Sequence, residues 1–204
     1  INVLINSEAK RIHAIKALKK WLPKKIIPNQ SELFVFFSGH GYPSEDEGLH
    51  LIPQNGDPTL LEDTALSHKS IIKLIQKTKP KSVTMFIDAC YSGQSNTGEV
   101  LVAGLKPLAA LEVKEDVPSN FNIFSSSESK QTSGTIKEAK HGIFSYYLMK
   151  GLEGKADFNK DSKITNNELF VYLRDNVSQE AFTQNREQNP ILNSGNPDQV
   201  LMRY

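Results

Sequence analysis

Two phrases fifty residues apart constrain this chain more than anything else in it. Leu33 to Gly41 reads L-F-V-F-F-S-G-H-G, and Val83 to Gly93 reads V-T-M-F-I-D-A-C-Y-S-G. Each is an apolar, β-branched and aromatic run that stops at small residues, the pattern of a buried strand delivering a side chain to a sheet edge. Residues two apart in a strand share a face, so Asp88 and Cys90 are expected to project together, as are Ser38 and His40.

Cys90 is the only cysteine in the chain, so it has no partner for an internal disulfide. A thiol needs a base or cation nearby to become a thiolate at neutral pH, and a histidine at the end of a neighbouring strand supplies one. Glycines at 39, 41 and 93 flank the two residues and permit tight turns and close approach of a peptide backbone. The backbone N–H groups of Gly41 and Cys90 are candidate donors to the oxyanion that forms when a thiolate attacks a carbonyl. Together these features point to a cysteine peptidase. His13, His50, His68 and His141 lie outside such glycine-flanked ends and are read as surface or capping residues. No G-x-S-x-G elbow, phosphate loop, H-E-x-x-H motif or cysteine pair is present in the sequence.

The remaining pattern fits one α/β domain. At 204 residues and 38% hydrophobic content the chain can bury a full core. Lys plus Arg number 24 against 23 Asp plus Glu, so a net charge of +1 gives no field that would favour nucleic acid or an acidic membrane surface. No apolar run approaches the roughly 20 residues of a membrane-spanning helix. The order of elements is strand (Ile1 to Asn6), helix capped by Asn6 or Ser7 with Ile12, Ile15, Leu18 and Leu22 inward, then strands at Leu33 to Ser38 and Leu49 to Ile52. A helix capped by Ser67, carrying Ile71, Leu74 and Ile75, precedes a strand at Val83 to Asp88. Residues 94–120 weaken into Ser, Asn, Thr, Gly, Pro and charges and read as a linker. A strand at Phe121 to Ser125, helices at Gly142 to Leu152 and Glu168 to Ala181, and an edge strand within Asp198 to Tyr204 complete the expectation. Alternating, nearly continuous apolar strands and amphipathic helices argue for a three-layer α/β/α sandwich with a mostly parallel central sheet. Opening on Ile1 inside an expected strand, the chain is read as a fragment with room for further domains on either side.

With His40 and Cys90 fifty residues apart and D-A-C-Y-S-G around the cysteine, the chain resembles the caspase and metacaspase superfamily of cysteine peptidases, and most of all bacterial caspase-like proteins of the metacaspase type. The resemblance covers nearly the whole chain and implies a caspase-like domain lacking its first strand. It divides the chain into a large-subunit-like region at 1–93, the linker at 94–120 and a small-subunit-like region at 121–204. It also implies a His40–Cys90 catalytic dyad, an oxyanion hole from Gly41 and Cys90, polypeptide substrates, and no cofactor for the chemistry itself. Where caspases carry Gln two residues before the cysteine, this chain has Asp88. An acidic side chain there attracts Lys or Arg before the scissile bond and repels Asp. Metacaspases are similar in that preference, and their pocket residues correspond to Ser38 and Asp88. Asp88 also has a purely structural reading, as a strand-end carboxylate that binds loop N–H groups. Lys106 and Lys114 in the linker are candidate self-processing sites for an enzyme of basic specificity. Rivals to the peptidase reading are an inactive scaffold of the same fold and a caspase specific for aspartate.

Residues 157–168 read D-F-N-K-D-S-K-I-T-N-N-E, nearly an EF-hand loop, with Asp157, Asn159, Asp161, Thr165 and Glu168 at the first, third, fifth, ninth and twelfth positions. Ser162 stands where that motif wants Gly. Two readings stand: a calcium loop, or a helix-connecting turn in which Asp and Asn act as caps. Asn55 and Asp57 are candidates for part of a regulatory calcium site of the metacaspase kind, while Thr97 stands where such a site expects an acid.

Overall fold

The computed structural model describes residues 1–44, 48–90, 117–127, 131, 134–136 and 141–204. Among these, a short helix α1 (Arg11–Lys16) runs on through a wide turn at Ala17–Trp21 into a tight one at Leu22–Lys24, where Pro23 ends it. Strand β1 (Glu32–Ser44) is followed by β2 (Gly48–Ile52), α2 (Leu61–Thr64), β3 (Leu66–Ser67), α3 (His68–Gln76) and β4 (Ser82–Cys90). Further along the chain come β5 (Phe121–Ser125), β6 (Thr135–Ile136), β7 (His141–Gly142), α4 (Ile143–Lys150), β8 (Lys163–Thr165), α5 (Asn166–Thr183), β9 (Ile191–Ser194) and β10 (Val200–Arg203).

Six strands form one sheet in the order β3-β2-β1-β4-β5-β9. Its central pairs, β1 with β4 and β4 with β5, are parallel, and the flanking pairs are antiparallel. One face carries Val83, Met85, Ile87, Phe121 and Ile123, covered by Ile71, Ile72 and Ile75 of α3, with Leu18, Trp21 and Leu22 over Leu33, Val35 and Phe37. The opposite face carries Phe86 and Phe124, their rings 5.1 Å apart, under Phe144 and Leu148 of α4 and Leu169, Leu173 and Val177 of α5. This cover stops short of β1, whose Phe34 and Phe36 remain 51% and 56% exposed on the same face.

Several expected elements stand where their local chemistry placed them. Ser67 caps α3 by accepting from the Ser70 N–H. Thr165 and Glu168 cap each other's backbone at the start of α5, a reciprocal capping box. Four expectations need correcting. Ile1 to Asn6 is not a strand: residues 1–5 join no ladder, and Ile1, Val3 and Ile5 are exposed. Extended backbone without a hydrogen-bonded neighbour has nothing to hold it in a sheet. The first helix starts after Lys10 rather than at Asn6 or Ser7; Ile15, Leu18 and Leu22 face inward as expected, joined by Ala14 and Trp21, but Ile12 is exposed. The last strand, β10, pairs with β8 in a separate two-stranded ladder, and the main sheet ends instead at β9. His50 and His68, read as surface or capping residues, are not at the surface: each is buried at 1% exposure.

The β4–β5 face is the joint between the two halves of the chain, so Phe124→Ala should cost about 3–5 kcal/mol. The same change at Phe182, 80% exposed, should stay within about 0.5 kcal/mol. Denaturant unfolding of the two variants checks this, and equal losses would contradict the packing described.

Candidate active site

The β1–β4 ladder sets the geometry. It runs in unbroken parallel register from Glu32 opposite Ser82 to His40 opposite Cys90, with Ser38 opposite Asp88. His40 is the one residue of β1 that also pairs with β2, opposite Ile52, so β1 changes partner there and continues antiparallel to β2 as far as Ser44. Cys90 is the last residue of β4. Register partners on adjacent parallel strands lie about 4.8 Å apart and present side chains to the same face. Ser38, His40 and Asp88 therefore share one face at the carboxyl end of the sheet, and Cys90 stands in register opposite His40. Ser38 and His40 are exposed and Gly41 is buried.

Asp88 is held differently from its neighbours. It is 6% exposed, and its Oδ2 accepts from the Ser145 N–H at 3.3 Å and the Ser145 hydroxyl at 2.5 Å. Ser145 is the third residue of α4, whose cap residue Gly142 has no side chain to offer. Asp88 thus serves α4 as an N-cap supplied from another strand, and the positive end of the helix favours the anion. The structural reading of Asp88 as a carboxylate that binds loop N–H groups is thus met in altered form, by one N–H of helix α4. Burial holds its carboxyl above the usual value, and the Ser145 bonds pull the other way.

The wall beside Asp88 is built by residues that sequence patterning passes over. Ser126 extends beyond β5, its N–H bonded to Ile87 O at 2.9 Å and its hydroxyl to Ala89 O at 3.1 Å. The buried Gln188 side chain donates to Ser126 O at 3.0 Å and accepts from Gly134 N–H at 2.7 Å. Gly134 O in turn accepts from the first N–H of α4, at Ile143. The signals for these residues were slight: a Ser run after a strand, and a Ser in the first turn of a helix whose inward face is apolar.

At the 157–168 loop, Asp157 accepts from Asp161 and Ser162 N–H groups and from the Tyr204 hydroxyl at 3.0 Å. Asn159 and Asp161 accept from the Asp161 and Lys163 N–H groups. Glu168 Oε2 is taken by the Thr165 N–H and hydroxyl, both at 2.9 Å. Ser162 adopts φ 61°, the left-handed turn for which the motif prefers glycine. Among the described residues no group of three or more His, Cys, Asp or Glu side chains is gathered to hold a metal ion. The side chains present act as turn and helix caps, and no chemical step below runs through calcium. Asn55 accepts from Arg11 N–H, and Asp57 from the Thr59 N–H and hydroxyl, which hold its carboxyl below the usual value. Thr97, Lys106, Lys114 and Gly93 lie outside the described residues.

A family model for the caspase domain matches residues 5–201. The chain belongs to the caspase domain family. No curated protein matches it. The crystal structure of protein GSU0716 from Geobacter sulfurreducens is similar over 97% of this chain and 78% of that one, with a TM-score of 0.61 and 16% identity. That likeness concerns the fold. The caspase domain here thus carries its two sequence motifs on the central parallel strands, with a buried acid beside them.

Two outcomes follow for this site. Asp88 ionises at higher pH in the folded than in the unfolded chain. The native state therefore binds the extra proton, and the stability this acid contributes falls as pH rises from 3.8 through its folded pKa. An Asp88→Asn variant should gain on the parent as pH rises across that window. Urea unfolding at stepped pH that shows a flat or declining difference would contradict this. The loop should be indifferent to calcium, with the same melting temperature in millimolar calcium as in chelator, and a rise of several degrees would mean that it rearranges to bind.

Proposed function

We propose that the chain is a cysteine endopeptidase that cleaves peptide bonds after Arg or Lys. The observation that carries this reading is the register pairing of His40 with Cys90 and of Ser38 with Asp88 at the carboxyl end of the sheet. Membership of the caspase domain family supports it.

In the proposed mechanism His40 takes the Cys90 thiol proton, and the thiolate attacks the scissile carbonyl carbon. The carbonyl oxygen becomes an oxyanion, met by the backbone N–H groups of Gly41 and Cys90. Protonated His40 then gives its proton to the leaving amine as the C–N bond breaks, leaving a thioester. A water molecule, deprotonated by His40, attacks that thioester and returns the thiol. None of these steps calls for a cofactor. Specificity comes from the rung below: Asp88 offers a carboxylate and Ser38 an exposed hydroxyl on the face the dyad occupies, which suits a substrate guanidinium or ammonium. An Asp side chain would meet like charge and bury it unpaired.

The test is hydrolysis of matched fluorogenic peptides ending in Arg, Lys, Gln or Asp. Cleavage after Arg and Lys is expected, with kcat/KM lowered by about 10³-fold or more in Cys90→Ala and in His40→Ala. Cleavage after Asp alone would remove the basic pocket, and a folded protein silent on all four would remove the peptidase.

A further inference from the structure

The basic pocket rests on one carboxylate, and that carboxylate does not stand by itself. We propose that Ser145 is the positioning residue of the pocket: its N–H and hydroxyl both bind Oδ2 of Asp88, fixing the carboxylate so that Oδ1 faces the substrate's cation. The inference rests on the basic specificity proposed above and assigns the pocket a further residue, on a helix 57 positions along the chain.

Three observations carry it. Both Ser145 donors converge on the same oxygen, and no described residue donates to Oδ1. A carboxylate anchored through one oxygen keeps its second lone-pair set for a ligand, whereas a freely rotating one would be averaged over orientations. The cap position of α4 is glycine, and a methyl group built there would lie 2.5 Å from Oδ2 and 3.4 Å from Oδ1. Gly142 has φ −58° and ψ 145°, open to any residue, so backbone conformation does not call for glycine there. The close approach of Asp88 does. Finally, no acidic residue stands in the first turn of α4, so Asp88 is the anion that meets the helix terminus. Among the described residues, His40 lies two positions beyond the register partner of Asp88 on β1, and the exposed His141 precedes Gly142 in the chain.

The experiment compares wild type, Ser145→Ala, Ser145→Thr and Gly142→Ala on peptides ending in Arg, Lys and the uncharged Gln, across pH, with iodoacetamide labelling of Cys90 as a readout of the nucleophile alone. Ser145→Ala should lose about 10- to 100-fold in kcat/KM for Arg and Lys, mostly through KM, and much less for Gln. Its acid limb for Arg cleavage should move to higher pH, because a bond that favours the ionised form has gone. Ser145→Thr, which keeps both donors, should restore the preference, and Gly142→Ala should lose it by displacing the carboxylate. Iodoacetamide labelling should not change in any of them. If wild type prefers Arg over Gln and both Ser145→Ala and Gly142→Ala keep that ratio and acid limb, Ser145 does not position the acid and the inference fails while the basic pocket stands. Should Ser145→Ala not fold, Gly142→Ala decides by the same ratio. A wild type with no preference for Arg or Lys removes the basic pocket and this inference with it.

Discussion

Nine consecutive register pairs between β1 and β4 set where Ser38 and His40 stand against Asp88 and Cys90. A parallel ladder has a side-chain period of two, so a slip of one residue would turn Ser38 and His40 to the opposite face from Asp88 and Cys90. What prevents the slip is the burial of both faces of β4. Met85 and Ile87 belong under α3, and Phe86 belongs under α4 and α5. Exchanging them would place every large side chain against the wrong layer. The register of His40 against Cys90 is thus a by-product of core packing.

The second constraint is electrostatic. Burying a carboxylate without compensation is costly, and Asp88 is compensated by the terminus of a helix that has no cap of its own. Each supplies what the other lacks: the strand gives the helix an acceptor, and the helix gives the acid two donors. The same contact seats α4 on the sheet, so the packing of α4 and the charge of Asp88 are coupled through one oxygen atom. The raised pKa of Asp88 reflects the balance, with burial outweighing the bonds from Ser145.

Much of this was legible in the sequence because it is local. The apolar runs marked β1, β2, β4 and β5, Ser67 marked the start of α3, and the two glycine-flanked phrases marked the strand ends where His40 and Cys90 stand in register. What escaped depends on partners far along the chain. Ile1 to Asn6 has a strand's composition but no ladder to join. Residues 191–194, Ile-Leu-Asn-Ser, are too short and mixed to announce an edge strand, and they become one by pairing with β5. Asp198 to Tyr204 does contain a strand, drawn away from the main sheet by the 157–168 loop, where β8 offers it a free edge. Ser145 could not be matched to Asp88 by any periodicity, since the contact spans two layers. The loop's acidic residues match a metal-binding pattern, yet their oxygens are taken up by backbone N–H groups, Thr165 and Tyr204.

The central claim is that the ladder brings His40 and Cys90 together beside an acid that selects a basic side chain. Its most direct measurement is covalent trapping by peptide acyloxymethyl ketones ending in Arg or in Asp, with the adduct located by mass mapping. The account predicts a single adduct on Cys90, formed about 10-fold or more faster by the Arg reagent and abolished by His40→Ala. Equal rates for the two reagents would contradict the pocket, and a folded protein that forms no adduct would contradict the dyad.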